Sequence, residues 1–315
     1  MDNSADFVKP PVGEQTGIIK AWISAFRLRT LPLALASIGM GSFLAAADHG
    51  LKLSVVAWCM LTTLLLQILS NLANDYGDTK HGADSIHRQG PKRAVQAGLI
   101  TARQMKKAMV VFTLLSLLSG LLLLWTAFGR EGLYLFLLFL GLGLAAIWAA
   151  INYTAGARPY GYIGLGDISV FLFFGLLGVS GTYFLQTQQL NYKILLPAAS
   201  LGFFATAVLN INNIRDIQSD QLAGKYSLPV RLGPVKARLY HFALLTAGIL
   251  CAFVYTFLTY HSPWQYLFLL ALPLLGFNGW QVWRIRQSHR LDPYLKQMAL
   301  TTLLFVLTFG IGLLL

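Results

Sequence analysis

Five of the twelve acidic residues stand in two short clusters. The first, Asn71-Leu-Ala-Asn-Asp-Tyr-Gly-Asp-Thr-Lys-His-Gly-Ala-Asp84, holds Asp75, Asp78 and Asp84. The second, Asn210-Ile-Asn-Asn-Ile-Arg-Asp-Ile-Gln-Ser-Asp220, holds Asp216 and Asp220. Residues at i, i+3, i+4 and i+7 share a helix face, which is the spacing of Asn71, Asn74, Asp75 and Asp78. Asn212, Asp216 and Asp220 repeat at i, i+4 and i+8. Carboxylates gathered at helix C-termini oppose the helix dipole and need compensation. A hard cation such as Mg2+ supplies it, commonly held by one or two carboxylates plus substrate phosphates. Two facing clusters would then grip a diphosphate between them. Lys80, Arg88, Lys92, Arg93, Arg215 and Lys225 stand close enough in sequence to take the remaining anionic oxygens. The alternative is a pair of solvated helix ends, salt-bridged to the same bases. Two Asn/Asp clusters in equivalent loops favour the metal site.

The elements that position these clusters follow from composition. Hydrophobic residues make up 56% of the 315 and charged residues only 11%, too apolar for a soluble fold and far from a disordered one. A membrane span needs about 20 apolar residues, and nine stretches qualify: 31–48, 54–73, 108–128, 133–151, 163–185, 194–212, 240–258, 265–283 and 297–315. The expected fold is therefore all-α and polytopic. No cleavable signal peptide is evident, and Ile18–Phe26 reads as a short amphipathic segment at the interface. The net charge of +12 resolves into topology, because 21 of the 24 Lys and Arg fall in segments on one side of the nine spans. Only Lys52, Arg130 and Lys193 fall on the other. The N-terminus is expected in the cytoplasm and the C-terminus opposite. No basic-aromatic module accompanies the charge, which argues against nucleic acid. Cys59 and Cys251 lie in apolar runs and read as small hydrophobes. Both acidic clusters open long loops on the basic side, 74–107 after the second span and 213–239 after the sixth.

With these motifs the chain resembles the UbiA superfamily of intramembrane prenyltransferases, over nearly its whole length. Within it, four stretches resemble the branch that prenylates 1,4-dihydroxy-2-naphthoate in menaquinone synthesis. They are Arg27-Leu-Arg-Thr-Leu-Pro32; Asn74-Asp-Tyr-Gly-Asp78 with Gly82-Ala-Asp84 and Gly90-Pro-Lys-Arg93; Tyr153-Thr-Ala-Gly-Ala-Arg-Pro-Tyr-Gly161 running into Gly164-Leu-Gly-Asp167; and Asn212 to Asp220 with Ala223-Gly-Lys-Tyr-Ser-Leu228 and Arg231-Leu-Gly233. The resemblance implies nine helices around a central cavity, in residues 18–315 behind a cytoplasmic tail of residues 1–17. It implies Mg2+, a polyprenyl diphosphate and dihydroxynaphthoate as ligands, in a cell inner membrane. Diphosphate would leave, the ring would capture the allylic cation, and the ring carboxylate would depart as CO2, giving demethylmenaquinone. One departure stands out. The superfamily places a further acid at position 82, where this chain has Gly82; either Asp84 substitutes, or the metal is held by Asn74, Asp78 and water.

The resemblance also distributes roles. Asp78, Asp216 and Asp220 are expected to hold metal, supported by Asn74, Asn212 and Asp84. Lys225 is expected to clamp the diphosphate, with Lys80, Arg88, Lys92, Arg93 and Arg215. Arg27 and Arg29 enter the membrane at its cytoplasmic face, as further diphosphate ligands or as positive-inside charges. Asp75 is either a ligand or an orienter of a nearby base. Tyr153 and Arg158 would reach the diphosphate or the acceptor. Asp167 is either the structural partner of a buried Arg or Tyr, or a catalytic group at the acceptor. The competing readings are prenyl transfer to 4-hydroxybenzoate or homogentisate, and an ion-coupled transporter. Transporters place their acids near the midplane, not at one interface.

Overall fold

The computed structural model describes residues 12–84, 90 and 93–315. Arg88, Lys92 and residues 1–11 of the expected tail lie outside the described residues. Among the described residues every regular element is helical, and nine helices are long and apolar enough to cross a membrane. They are α1 (Gly17–Ala47), α2 (Leu53–Lys80), α3 (Ala102–Phe128), α4 (Leu133–Asn152), α5 (Gly166–Thr187), α6 (Tyr192–Arg215), α7 (Leu228–Leu258), α8 (Pro263–Arg284) and α9 (Ser288–Leu314). The chain is an all-α, multi-pass membrane protein, with one helix for each apolar stretch of the sequence.

The helices outrun those stretches, mostly on the basic side. α2 continues to Lys80, α3 starts at Ala102, α7 at Leu228 and α9 at Ser288. Apolarity ends where the hydrocarbon ends, but a helix needs only propensity and caps. Thr101 and Gln104 form a reciprocal capping box at the start of α3. These polar turns carry Asn74, Asp75 and Asp78 beyond the apolar run.

α1 is interrupted. Its first part belongs to a helix over Val12–Phe26, which starts before the span itself and earlier than the expected Ile18–Phe26 segment. It ends at Arg27, whose φ of 50° is left-handed and costly for a residue with a Cβ. One 3-10 turn follows (Leu28–Thr30), then a helix from Leu31 with Pro32 in its first turn. Proline is tolerated there because that N–H has no helical partner. The Asn71 amide, on α2, donates to the Phe26 carbonyl at 2.9 Å and so satisfies part of the break.

α6 is the most buried span and packs against α5, α7 and α9. α5 contains a π-helical stretch, Phe171–Ser180. Within it Gly175 meets Gly202 of α6 so closely that a Cβ on Gly175 would stand 2.6 Å from the Gly202 Cα. Lipid tails are as apolar as leucine, so helix association here rests on such close backbone contact. Gly175→Val should therefore destabilise the bundle by about 1–3 kcal/mol in detergent-titrated unfolding. Gly276→Val, at a position whose Cβ would meet nothing within 4 Å, should leave the unfolding curve unmoved.

Candidate active site

One end of the bundle gathers the ends of α2 and α6 and the connections that follow α2, α4 and α6. Asp78 is buried there, with Arg93, Tyr162 and Lys225 among its partners. The Arg93 Nη2 lies 2.9 Å from one carboxylate oxygen, and the Tyr162 hydroxyl donates to the other at 3.0 Å. The Lys225 Nζ stands 3.9 Å from that second oxygen. Arg93 also binds Asp84, at 3.1 Å, and donates to the Asn74 carbonyl at 2.6 Å. Asp84 reaches this position because Gly82 adopts a left-handed φ of 81°, after which the Asp84 N–H returns to the Asp78 carbonyl.

The second cluster follows α6. Asp216 bends the chain between α6 and a short helix, Ile217–Leu222, while the Asp220 N–H still donates to the Asp216 carbonyl at 2.8 Å. The hydrogen-bond ladder thus survives the bend and keeps Asn212, Asp216 and Asp220 in register. Both Asp216 oxygens accept from Arg215, at 3.0 and 2.7 Å, and Arg215 also donates to the Asn212 amide oxygen at 2.8 Å. Asp220 lies 3.5 Å from the Lys225 Nζ. Lys225 therefore touches an acid of each cluster, which sets Asp78 and Asp220 within two ion-pair lengths of each other. Its ammonium also sits over the Tyr162 ring, 5.6 Å from the centroid.

Burial raises the stakes of these pairings. Burial pushes the Asp220 carboxyl up to about 6; Lys225 opposes this, and the Asp216 and Asp78 charges add to it. Burial alone would favour a neutral Lys225, but the carboxylates of Asp220 and Asp78 more than offset that and hold its pKa above the ordinary lysine value. Arg93 is likewise held charged against burial by Asp78, Asp84, Asp75 and Asp216. The Tyr162 phenol is driven up by burial and by Asp78, so it remains a proton donor to that carboxylate.

A cavity of about 390 Å³ opens from this end into the bundle. Asn74, Asp78, Arg93, Asn212 and Lys225 line its polar head. Leu123, Leu124, Phe139, Leu140 and Leu185, which lie toward the opposite ends of α3, α4 and α5, line its far part. Such a cavity fits a molecule with an anionic head and a long apolar tail.

Comparison with known proteins identifies the family. Residues 34–312 match the model of the UbiA prenyltransferase family. The chain belongs to the UbiA prenyltransferase family. It is 49% identical to the 1,4-dihydroxy-2-naphthoate octaprenyltransferase of Haemophilus influenzae over 94% of this chain and 96% of that one. It is 47% identical to the Escherichia coli protein of the same name, over 93% and 96%. A UbiA homologue from Archaeoglobus fulgidus superposes with a TM-score of 0.63 at 16% identity, covering 94% of this chain and all of that one. The same homologue solved with DMAPP and Mg2+ superposes at 0.57, over 91% and 98%. At such identities the solved structures establish the shared UbiA fold.

Within this UbiA fold the expected residues fall into distinct positions. Asn74, Asp78, Arg93, Asn212, Lys225, Tyr153 and Arg27 line the cavity. Asp84, Asp216 and Asp220 stand behind that lining, bound to Arg93, Arg215 and Lys225. Asp75 shares the α2 face with Asn74 only loosely, because successive helical residues point about 100° apart. Its carboxylate accepts from the Ala94 N–H at 3.3 Å and orients the turn that carries Arg93. Asp167 is buried and does not line the cavity; it stands near the Tyr240 hydroxyl of α7. Lys80 and Arg158 are exposed, and Arg29 is paired with Asp292. Three partners were not anticipated: Tyr162, one residue beyond the Tyr153–Gly161 stretch; Thr154, whose hydroxyl lies 3.0 Å from the Asn74 amide oxygen; and Asp292.

The donor set fits a magnesium ion in one particular way. Among the described residues no three His, Cys, Asp or Glu side chains converge on a ready-made metal position. Asp220 Oδ2 is nonetheless buried and has no hydrogen-bond partner among the described residues. Mg2+ characteristically takes one or two carboxylates and completes its shell with water and phosphate oxygens, which is what Asp78 with Asp84 and Asp216 with Asp220 offer.

Asp84 can be separated from the missing acid at position 82. Asp84→Ala should lower prenyl transfer at least about tenfold, the usual cost of losing a metal-site carboxylate or its support. Adding Gly82→Asp should not restore it, because a left-handed φ is strained for any side chain at 82. Restored transfer in the double variant would contradict the assignment.

Proposed function

We propose that the chain transfers a polyprenyl group from an allylic diphosphate to 1,4-dihydroxy-2-naphthoate, with release of diphosphate and CO2, giving demethylmenaquinone in its hydroquinone form, demethylmenaquinol. The observation that carries this is the pairing of two acid clusters through Lys225 at the polar head of an otherwise apolar cavity. The names of the bacterial relatives at 47–49% identity supply the acceptor and point to a long donor of the octaprenyl class.

Asp78 with Asp84, and Asp216 with Asp220, would hold Mg2+, which when bound neutralises charge on the leaving diphosphate. Lys225 and Arg93 lie at the cavity head, where they bind anionic oxygens and keep that charge from returning to the allylic carbon. The apolar walls exclude water from the allylic cation, which would otherwise be quenched as an alcohol. Phe173, Phe174 and Tyr153 line the cavity, and an aromatic face turned to it would attract a cation. The dihydroxynaphthoate ring then captures it, and loss of the carboxylate from the same carbon restores aromaticity.

The charge asymmetry supports an inner-membrane orientation with the acid clusters and the N-terminus in the cytoplasm. Residues 18–315 would form the catalytic membrane unit. Water-soluble acceptor and diphosphate would meet at the cytoplasmic head while the prenyl tail stays in the apolar part.

Membranes carrying the protein should form prenylated lipid from dihydroxynaphthoate only with Mg2+, releasing one CO2 per transfer. Asp78→Ala and Asp216→Ala should each abolish it. Transfer confined to 4-hydroxybenzoate, or activity intact in both variants, would defeat this reading.

A further inference from the structure

Asp292 opens the α-helical part of α9 (Asp292–Leu314, after a 3-10 turn at Ser288–Leu291), in a first turn where the helix dipole favours a carboxylate. It lies on a different helix from either acid cluster, yet it is joined to the second. One of its oxygens accepts from the Nη1 of Arg215, and the other from the Nη1 of Arg29 at 2.8 Å. Arg215 is completely buried, and its Nε and Nη2 hold both oxygens of Asp216 and the amide oxygen of Asn212. Four of the five N–H donors of a guanidinium are thereby used. The Gly90 backbone closes one side, since a Cβ there would stand 2.8 Å from the Arg215 Cζ. This guanidinium is held on every edge, and Asp292 is the anchor that does not belong to the cluster.

The charges explain what the anchor does. Arg215 and Asp216 by themselves make a neutral buried pair. Asp292 competes for the same guanidinium, so the trio carries a net negative charge. Arg29, more exposed, balances Asp292 from the outer side. We propose that Asp292 is a positioning residue for the second acid cluster: by sharing Arg215 it fixes the geometry of Asp216 and Asn212 and keeps Asp216 negative enough to bind a divalent cation. Through Arg29 the same carboxylate ties this cluster to the α1 break that places Arg27 on the cavity wall.

The proposal rests on the metal reading of the clusters, and the test separates the two. Mn2+ alone is titrated into the purified full chain in detergent, without prenyl donor, and bound metal is read by electron paramagnetic resonance. Asp292→Asn should weaken Mn2+ binding roughly tenfold, the lower end of what supporting residues contribute to metal sites. It should raise the Mg2+ concentration for half-maximal transfer by a similar factor, with an unchanged melting temperature. Asp292→Glu, which keeps the charge, should recover most of the affinity. Arg29→Gln leaves Asp292 wholly to Arg215, so Mn2+ binding should be equal or tighter; this variant carries the test if Asp292→Asn does not fold. Wild-type affinity in Asp292→Asn, or a tenfold weakening in Arg29→Gln, would overturn the proposal alone. Absence of Mn2+ binding by the wild-type chain would overturn the metal reading as well.

Discussion

Carboxylates buried beside one another at the end of a membrane bundle cannot stand without counter-charge, and Lys225 supplies it to both clusters at once. An ammonium within ion-pair reach of Asp78 and Asp220 joins the loop after α2 to the loop after α6. Each ion in such a place loses hydration worth several kcal/mol, which is recovered only when geometry and hydrogen bonding are good. Here the geometry is completed by Tyr162, which donates to Asp78 and lies under the ammonium. The backbone reinforces it, since the Tyr226 N–H donates to the Tyr162 carbonyl at 2.8 Å and ties the loop after α4 to the loop after α6.

The remaining bases follow the same logic. Arg93 satisfies Asp78 and Asp84 together, and Arg215 satisfies Asp216 while reaching across to α9. The acids are thus held as two compensated groups facing one cavity head. In the proposed reaction a diphosphate with its metal would bring both charge signs into this head and would exchange with the internal pairs, replacing ionic partners without leaving buried charge exposed. The apolar part of the cavity needs no such balance. It demands only walls that a prenyl chain can lie against, and α3, α4 and α5 provide them.

Much of this is legible in the sequence because it is periodic. Nine apolar runs become nine spans, and the i, i+3, i+4, i+7 spacing puts Asn74 and Asp78 at one helix end. The helix-terminal cost of clustered acids by itself points to a cation. What is not legible depends on contacts across the chain. Spacing alone groups Asp75 with Asp78, but its carboxylate turns to the Ala94 N–H. Position 82 reads as a missing acid, yet the left-handed turn at Gly82 swings Asp84 back to Arg93. Arg215 and Arg29 read as diphosphate ligands, while Asp292, distant from both in sequence, binds them together. Tyr162 carries no periodic signal at all.

The most direct measurement concerns Lys225. Equilibrium binding of a radiolabelled prenyl diphosphate, in the presence of Mg2+, should weaken roughly a hundredfold in Lys225→Met, in line with the 1.5–3 kcal/mol of a charge-assisted hydrogen bond. Dihydroxynaphthoate binding to the same protein should stay near the wild-type value. If the variant binds the diphosphate as tightly as wild type, the two clusters are not joined through this ammonium, and the organisation described above is wrong at its centre.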